Sequence, residues 1–478
     1  MTGLPARGFA VLGDPSNLKI NFKAAFSRFR ATGSAPLLFS IHHRPLSKRQ
    51  RKLPAGTVRG IFRLKSTKMR QTFAPSVSYG HKGQAFMKDQ QGRSYWMDYL
   101  RGFITVLVVA HHSTLAYTTF AHFSPQAYMA STHPIVDNVR SIGLDIFEDF
   151  NDVFFMALMF LISGIFVVPS LERKGRRQFI RDRTKRLFIP FLITVALIIP
   201  FGYLAAWRLA HGNYDLRAFF IDFIRVEHWP AGPPWFIGIL FIFNGIVCLF
   251  YPRLRGLLQR WNAHLTRLSN RPGSLFWRGY LLTLGLYIPL VLIFGYSAWI
   301  GFGPFAIQLS RILLYFGYFM LGLAIGVTSI NEGLLAESSA LARYAWRWVG
   351  RCLLAYGLLK IGGLYIGNLA NHGRLTEIEG RLLYRPIWAL SCTLSCMAFL
   401  AVFRRIFHSA KRGWESLASN AYGIYLVHYV FVLWLQYLLL PVDLPAVAKF
   451  AVTFIGSLGL SWAVTALVRR IPLVGKYL

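Results

Sequence analysis

Apolar runs of about 20 residues recur along the chain, separated by short polar segments. A helix of roughly 20 apolar residues is long enough to cross a ~30 Å hydrocarbon core. The pattern predicts an all-α, polytopic transmembrane bundle of about ten helices. The predicted spans lie at about residues 100–120, 150–170, 187–207, 235–251, 279–298, 305–327, 349–369, 386–403, 421–440 and 446–468.

Positive charge is concentrated between these spans and before the first of them, and the formal net charge is +34. With both termini inside, the predicted cytoplasmic segments hold 23 Lys and Arg residues, whereas the predicted external segments hold seven. Positively charged loops of inner-membrane proteins remain in the cytoplasm. The charge pattern therefore favours a multi-pass membrane protein with both termini cytoplasmic and disfavours nucleic-acid binding.

Residues 1–86 differ in composition from residues 87–478. They contain 16 Lys and Arg residues, a single acidic residue, Asp14, and no apolar run long enough to span. One interpretation is a disordered basic arm that touches anionic lipid. The favoured interpretation is that the start codon was assigned too far upstream and that Met87 begins the protein. We therefore expect a basic extension, 1–86, followed by a transmembrane domain, 87–478.

The first span carries charged and titratable residues that are costly in hydrocarbon. In the stretch MDYLRGFITVLVVAHHSTLAY, Arg101 and His112 are eleven positions apart, which is three helical turns. They are expected on one face, about 16 Å apart. Asp98 falls near the same face, whereas His111 points away from it.

A histidine near the middle of a membrane can remove a proton from a hydroxyl group near neutral pH. It can equally serve to hydrogen-bond a neighbouring helix, and spacing alone leaves both roles open for His112. For His111 the structural role is favoured. The cysteines lie in apolar runs without neighbouring histidines, so packing is favoured over metal binding. They are Cys248, Cys352, Cys392 and Cys396.

The stretch YWMDYLRGFITVLVVAHHSTLAY resembles the first helix of the acyltransferase-3 family of integral membrane O-acyltransferases. In that family an Asp-x-x-Arg pair is followed by a histidine fourteen residues after the Asp, which implies catalytic roles for Asp98, Arg101 and His112. The resemblance extends over about residues 95–478, and its ending is similar to the branch of periplasmic glucan succinyltransferases. Further matching stretches, in order, are VFFMALMFLISGIF, RDRTKRLFIPFL, PPWFIGIL, LYFGYFMLGLAIG and NAYGIYLVHYV.

The resemblance implies that the protein moves an acyl group from cytosolic acyl-CoA to a hydroxyl of an extracytoplasmic carbohydrate, in a bacterial inner membrane. His112 would act as general base, and the Arg-x-x-Arg pair Arg183 and Arg186 would bind acyl-CoA. No metal is implied. The basic loop RKGRRQFIRDRTKR carries charge that suits the phosphates of CoA. The chain has no Gly-x-Ser-x-Gly elbow, so direct attack by the acceptor is favoured over an acyl-enzyme.

The identity of the acyl group (acetyl, succinyl or another), the acceptor and the oligomeric state remain open. A second hypothesis is a proton-coupled exporter of a glycan or lipid, which intramembrane His and Arg would also suit. The motifs of the first half are not repeated in the second, which favours the enzyme. Trp235 would line the acceptor entrance or lie at the interface. Arg311 and Lys360 would need internal partners, and His428 would act or only pack.

Overall fold

The computed structural model describes residues 94–226, 229–296 and 298–475, so the predicted 1–86 extension lies outside the described residues. The described backbone is predominantly helical, as the apolar runs predict. Its α-helices are α1 (Tyr95–Thr114), α2 (Ile142–Ile165), α3 (Val167–Arg183), α4 (Ile189–Ile193), α5 (Ile199–His211), α6 (Leu216–Arg225), α7 (Trp235–Leu268), α8 (Pro272–Phe294), α9 (Ile312–Ile325), α10 (Ala340–Arg343), α11 (Ala345–Asn371), α12 (Glu377–Ile406), α13 (Arg412–Leu439), α14 (Ala446–Val468) and α15 (Pro472–Gly475).

Seven helical stretches of the described residues are long and apolar enough to cross a membrane. They are the continuous Val167–His211 stretch and the helices α7, α8, α11, α12, α13 and α14. The remaining predicted spans correspond to α1 and α2, whose sequences are interrupted by charged residues, and to the shorter α9. The prediction of an all-α, polytopic membrane protein is confirmed.

Two local predictions are wrong. The span predicted to begin at 305 starts too early, because β1 (Trp299–Phe302) and β2 (Phe305–Gln308) form an antiparallel hairpin before α9. The basic segment predicted to be a loop is mostly helical, since α3 continues through it with a break at Gly175, where φ is 74°. Lys and Arg are good helix formers, so the end of an apolar run need not end a helix.

Between α3 and α5 the chain continues as one helical stretch that contains two π-helical turns. These turns are Thr184–Phe188 and Thr194–Ile198. Each is followed by a helical segment with a proline at its second position, Pro190 in α4 and Pro200 in α5. Proline lacks the N–H that would bond the carbonyl four residues earlier. The wider turns therefore lie where the regular hydrogen-bond ladder is interrupted.

Helices α2 and α9 approach each other through glycines. A Cβ atom added to Gly322 would overlap the carbonyl oxygen of Leu161, and one added to Gly326 would overlap that of Ile165. Small residues allow membrane helices to bring their backbones together in this way. Helix α1 lies against α2, α12, α13 and α14. The helix with the predicted catalytic residues is therefore enclosed by other helices.

Candidate functional site

His112 lies two residues before the end of α1. Its Nδ1 is 2.8 Å from the carbonyl oxygen of Val108, one turn earlier. A carbonyl oxygen only accepts hydrogen bonds, so Nδ1 carries the hydrogen and donates it. In the neutral ring the other nitrogen, Nε2, then holds a lone pair. The backbone thus selects the tautomer in which Nε2 of His112 can accept a proton.

His428, on α13, lies beside His112, with 5.3 Å between the two ring centroids. The ring of Tyr429 is 5.4 Å from that of His112 on the same side. His428 is fully buried, and its Nδ1 is 2.8 Å from the carbonyl oxygen of Tyr425. Sequence reasoning singled out His428 through the family motif but left its role open. The structure brings it next to the predicted base.

Gln436 connects α13 to the backbone at His112. Its Nε2 donates to the carbonyl oxygens of His112, at 3.1 Å, and of Ser113, at 3.3 Å. Its Oε1 accepts from Nε2 of His133 at 2.8 Å. Burial lowers the pKa of His133 to about 4, and the bond to Gln436 opposes this shift only in part. His133 is therefore neutral near pH 7, with its hydrogen on Nε2.

The stretch of residues 118–141 connects the end of α1 to α2. A second buried contact fixes it: Nζ of Lys449 on α14 is 2.7 Å from Oδ2 of Asp137. The side chains of this pair are 2% and 4% exposed. The backbone N–H of Asp137 also donates to the carbonyl of Ala116 at 2.9 Å. The chain immediately after His112 is thus held in place by α13 and α14. Sequence reasoning missed His133, Gln436 and this ion pair.

His111 points toward α2, away from the face that carries His112. Its Nε2 is 3.8 Å from Oε1 of Glu148, and its ring centroid is 5.0 Å from that of Phe155. The His111 and His112 rings are 5.2 Å apart and nearly perpendicular, at 82°. The two adjacent histidines therefore face different helices, as helical spacing predicts.

The expectation that Arg311 and Lys360 need internal partners is confirmed. Arg311 makes two hydrogen bonds to the carboxylate of Asp152, at 2.8 Å and 2.5 Å. Its guanidinium also lies over the ring of Trp388, 5.0 Å from the centroid. Nζ of Lys360 is 3.0 Å from Oδ2 of Asp149. Both acidic partners come from the first half of α2, which thereby anchors two other parts of the bundle.

Arg101 and Asp98 form an ion pair within α1. The guanidinium of Arg101 lies 5.2 Å from the ring centroid of Phe166, and its side chain is 47% exposed. The eleven-residue separation places this pair about 16 Å along the helix from His112. The pair and His112 thus lie toward opposite ends of α1.

Arg183 and Arg186 differ in their surroundings. The guanidinium of half-buried Arg183 is 5.0 Å from the ring centroid of Phe179, whereas the side chain of Arg186 is exposed. Pro190 has no N–H to donate to the carbonyl of Arg186 four residues earlier, and the hydroxyl of Tyr422 donates to that carbonyl at 2.6 Å. Helix α13, which carries His428, thus also fixes the backbone at the arginine pair.

The loop before α7 approaches the same region of α13. The hydroxyl of Tyr425 donates to the carbonyl oxygen of Pro233. Gly232 has φ of 57°, and a Cβ atom there would lie 3.3 Å from Cδ1 of Tyr429. Trp235 contacts other aromatic rings, including that of Trp299 at 5.7 Å. Irregular backbone of this kind is tolerated in a membrane protein where it is buried or lines a cavity.

Within the described part of the chain, no group of three or more His, Cys, Asp or Glu residues could hold a metal ion. The four cysteines are free and buried. The site therefore offers two neighbouring histidines, with Arg101 on the same helix as one of them and Arg183 and Arg186 on the stretch that α13 contacts. This combination can transfer protons and bind anionic groups.

Comparison with known proteins identifies relatives of this chain. A family model described as "Acyltransferase domain" matches residues 94–466. Glucans biosynthesis protein C of Escherichia coli O6:K15:H31 (strain 536 / UPEC) is 22% identical over 235 residues. The protein of the same name from Shigella dysenteriae serotype 1 (strain Sd197) is 23% identical over 239 residues. Each match covers 48% of this chain and 57% of the relative. No solved structure matches this chain.

Proposed function

This chain belongs to the acyltransferase-3 family, and we propose that it is an integral membrane O-acyltransferase. It moves an acyl group from cytosolic acyl-CoA to a hydroxyl of an extracytoplasmic glycan. The distribution of Lys and Arg supports a bacterial inner-membrane location with both termini in the cytoplasm. The relatives named for glucan biosynthesis support a glucan as the acceptor and leave the acyl group open.

The observation that carries the proposal is the tautomer of His112. Nδ1 is occupied by the carbonyl of Val108, so Nε2 keeps a lone pair, and the ring lies 5.3 Å from that of His428 on α13. In the proposed reaction, Nε2 takes the proton of the acceptor hydroxyl as its oxygen attacks the thioester carbonyl. The ester C–O bond forms, the C–S bond breaks, and His112 returns the proton to the sulfur of CoA.

The donor would bind at the other end of α1. Arg183 and Arg186 are the proposed contacts for the phosphates of acyl-CoA, since guanidinium groups bind phosphate oxygens in pairs. Arg101, held by Asp98, lies along α1 between the proposed cytoplasmic end and His112 and would guide the acyl-bearing arm. This assigns the phosphates to the end of α3 and the π-helical turn after it, and the reacting thioester to His112.

The test compares His112→Ala with His111→Ala in membranes that contain the full chain. We expect His112→Ala to lower acyl transfer by about 10²- to 10⁴-fold, because removal of a general base has that effect. His111→Ala should lower it far less, since His111 faces Glu148 and Phe155 rather than α13. The measurement is acyl incorporation into the glycan fraction.

Incorporation is divided by the amount of membrane-inserted protein, because a merely structural histidine would reduce the amount of protein rather than its turnover. Equal losses in the two variants would refute the role of His112. So would near-normal turnover per inserted molecule in His112→Ala.

A further inference from the structure

His428 has a hydrogen-bonding atom that its surroundings leave unused. Its Nδ1 donates to the carbonyl of Tyr425 on the same helix, so Nε2, across the ring, holds the lone pair. Nε2 is buried and has no hydrogen-bond partner among the described residues. Buried polar atoms nearly always have a partner, and leaving one unpaired is unfavourable. The missing partner must be a donor.

His112 cannot be that partner in the resting state. Its Nε2 also holds a lone pair, because its Nδ1 donates to Val108. Two neutral acceptors do not hydrogen-bond each other, although the rings are only 5.3 Å apart. The site therefore presents two neighbouring acceptor nitrogens, one on α1 and one on α13. A ligand that satisfies both must supply two donors.

We propose that Nε2 of His428 accepts a hydrogen bond from a second hydroxyl of the acceptor, next to the hydroxyl that His112 deprotonates. This rests on the proposed acyl transfer to a glycan, and it narrows the acceptor to sugars with two neighbouring free hydroxyls. Hydrogen bonds of about 2.8 Å from rings this close reach adjacent oxygens of one sugar ring. His428 then selects which hydroxyl meets His112.

The surroundings of His428 strengthen this contact. The ring lies among those of Tyr425, Tyr429 and His112, and the side chain is fully buried. Residues 229–234 close over this part of α13 through the bond from Tyr425 to Pro233. A site built to bond a hydroxyl discriminates strongly against an analogue that lacks it, because the buried acceptor is then left unpaired.

The experiment uses the full chain in proteoliposomes, an acyl-CoA donor and a short glucan oligosaccharide as parent acceptor. The parent acceptor is compared with analogues that each lack a single hydroxyl on the acylated sugar. In the wild type, removal of one neighbouring hydroxyl should lower kcat/KM by about 10- to 100-fold. In His428→Ala, kcat/KM for the parent acceptor should fall by a similar factor, whereas kcat/KM for that analogue should fall no further. The ratio of the two kcat/KM values should therefore approach one. KM for acyl-CoA should not change.

Two further variants sharpen the result. His428→Gln keeps an acceptor oxygen and should retain part of the preference for the parent, even if the Ala variant fails to insert. His133→Asn is the matched control: His133 also lies near Tyr429, with 6.3 Å between the rings, but its Nε2 is bonded to Gln436. His133→Asn should slow acylation of the parent and of the analogues by the same factor.

If the wild-type protein acylates every analogue as fast as the parent, the inference is overturned and no variant is needed to decide it. If His428→Ala keeps the wild-type preference for the parent over the analogues, the inference is also overturned. In that case the proposed function still stands, provided that acylation of the parent depends on His112. If no His112-dependent acylation of the parent occurs at all, the proposed function fails and this inference fails with it.

Discussion

At the residue scale, the two proposed donor-binding arginines make different contributions. Arg186 is exposed, so its removal changes little besides charge, whereas Arg183 lies on the ring of Phe179 and also packs. The whole segment is basic, with eight Lys and Arg residues between 171 and 186. A test must therefore separate these two positions from general positive charge.

We predict that Arg183→Ala and Arg186→Ala each raise KM for acyl-CoA by one to two orders of magnitude. Losing a charge-assisted hydrogen bond costs about 1.5–3 kcal/mol. Arg177→Ala, at an exposed position of the same helix, is the matched control and should raise KM only slightly. The measurement is initial rate against acyl-CoA concentration in membranes. Equal effects at all three positions would indicate a diffuse charge requirement and not a binding pair.

His133 makes stability depend on pH. Its pKa is about 4 in the folded protein against an ordinary 6.5, because burial disfavours the charged ring. Between pH 6.5 and 4 the unfolded chain binds the proton more readily, so the free energy of unfolding falls as pH falls. The contribution is fully present above pH 6.5 and amounts to at most about 3 kcal/mol.

We therefore predict that His133→Asn flattens the fall of the unfolding temperature between pH 6.5 and 4. The measurement is thermal unfolding in detergent for the wild type and the variant across that range. The other buried histidines are present in both proteins, so their effects cancel in the comparison. Parallel curves would show that His133 is not buried as a neutral ring.

Much of the site at this scale depends on contacts between residues far apart in sequence. The choice of His112 over His111 follows from helical spacing, which is local, and the structure turns the two rings to different helices. Gln436 bonds the backbone of His112 across 324 positions, and His133 bonds Gln436 across 303. No local pattern contains such pairings. His428 was found only because a family motif pointed to it.

At the element scale, the contact between α2 and α9 depends on the absence of side chains at its glycines. The α9 glycines meet carbonyl oxygens of α2 rather than flexible side chains. Neither backbone can move aside without displacing the whole helix. The relative height of the two helices, and with it the pairing of Arg311 with Asp152, is thereby fixed.

We predict that Gly322→Ala destabilises the protein by about 1–3 kcal/mol or more, because overpacking against a backbone that cannot move aside is costly. Gly350→Ala on α11 is the matched control, since no described atom beyond its immediate helical backbone lies within 4 Å of the added Cβ. It should be neutral or slightly stabilising, as Ala is the better helix former. The measurement is the amount of inserted protein and its unfolding temperature in detergent. Similar losses in both variants would contradict the close contact.

The apolar runs predicted which helices exist, but they did not predict where each element begins and ends. Trp299 and Ile300, in β1, and Phe305 and Ile307, in β2, are as apolar as a span, so hydropathy alone merged part of the hairpin with α9. Conversely, the polar residues of α3 led to the prediction of a loop where the chain is helical. Hydropathy reports what surrounds a segment, whereas hydrogen bonding decides its conformation.

At the scale of the whole molecule, the match to the family begins at residue 94 and residues 1–86 lie before it. We predict that a chain beginning at Met87 inserts into the membrane and transfers acyl groups as the full chain does, because no predicted span or motif is lost. The measurement is turnover per inserted molecule for both chains. A shortened protein that inserts normally but has lost its activity would contradict the prediction.

The ion pair between Asp137 and Lys449 also constrains the order in which the protein is assembled. The two residues are 312 positions apart, and the lysine is on the last long helix to be synthesised. While translation proceeds, Asp137 lacks its cation, and a buried carboxylate without a partner is unfavourable. His133 can bond Gln436 once α13 is in place, whereas Asp137 gains its cation only when Lys449 on α14 is present. Closure of the region after His112 thus has two steps, and the second requires a chain translated through α14.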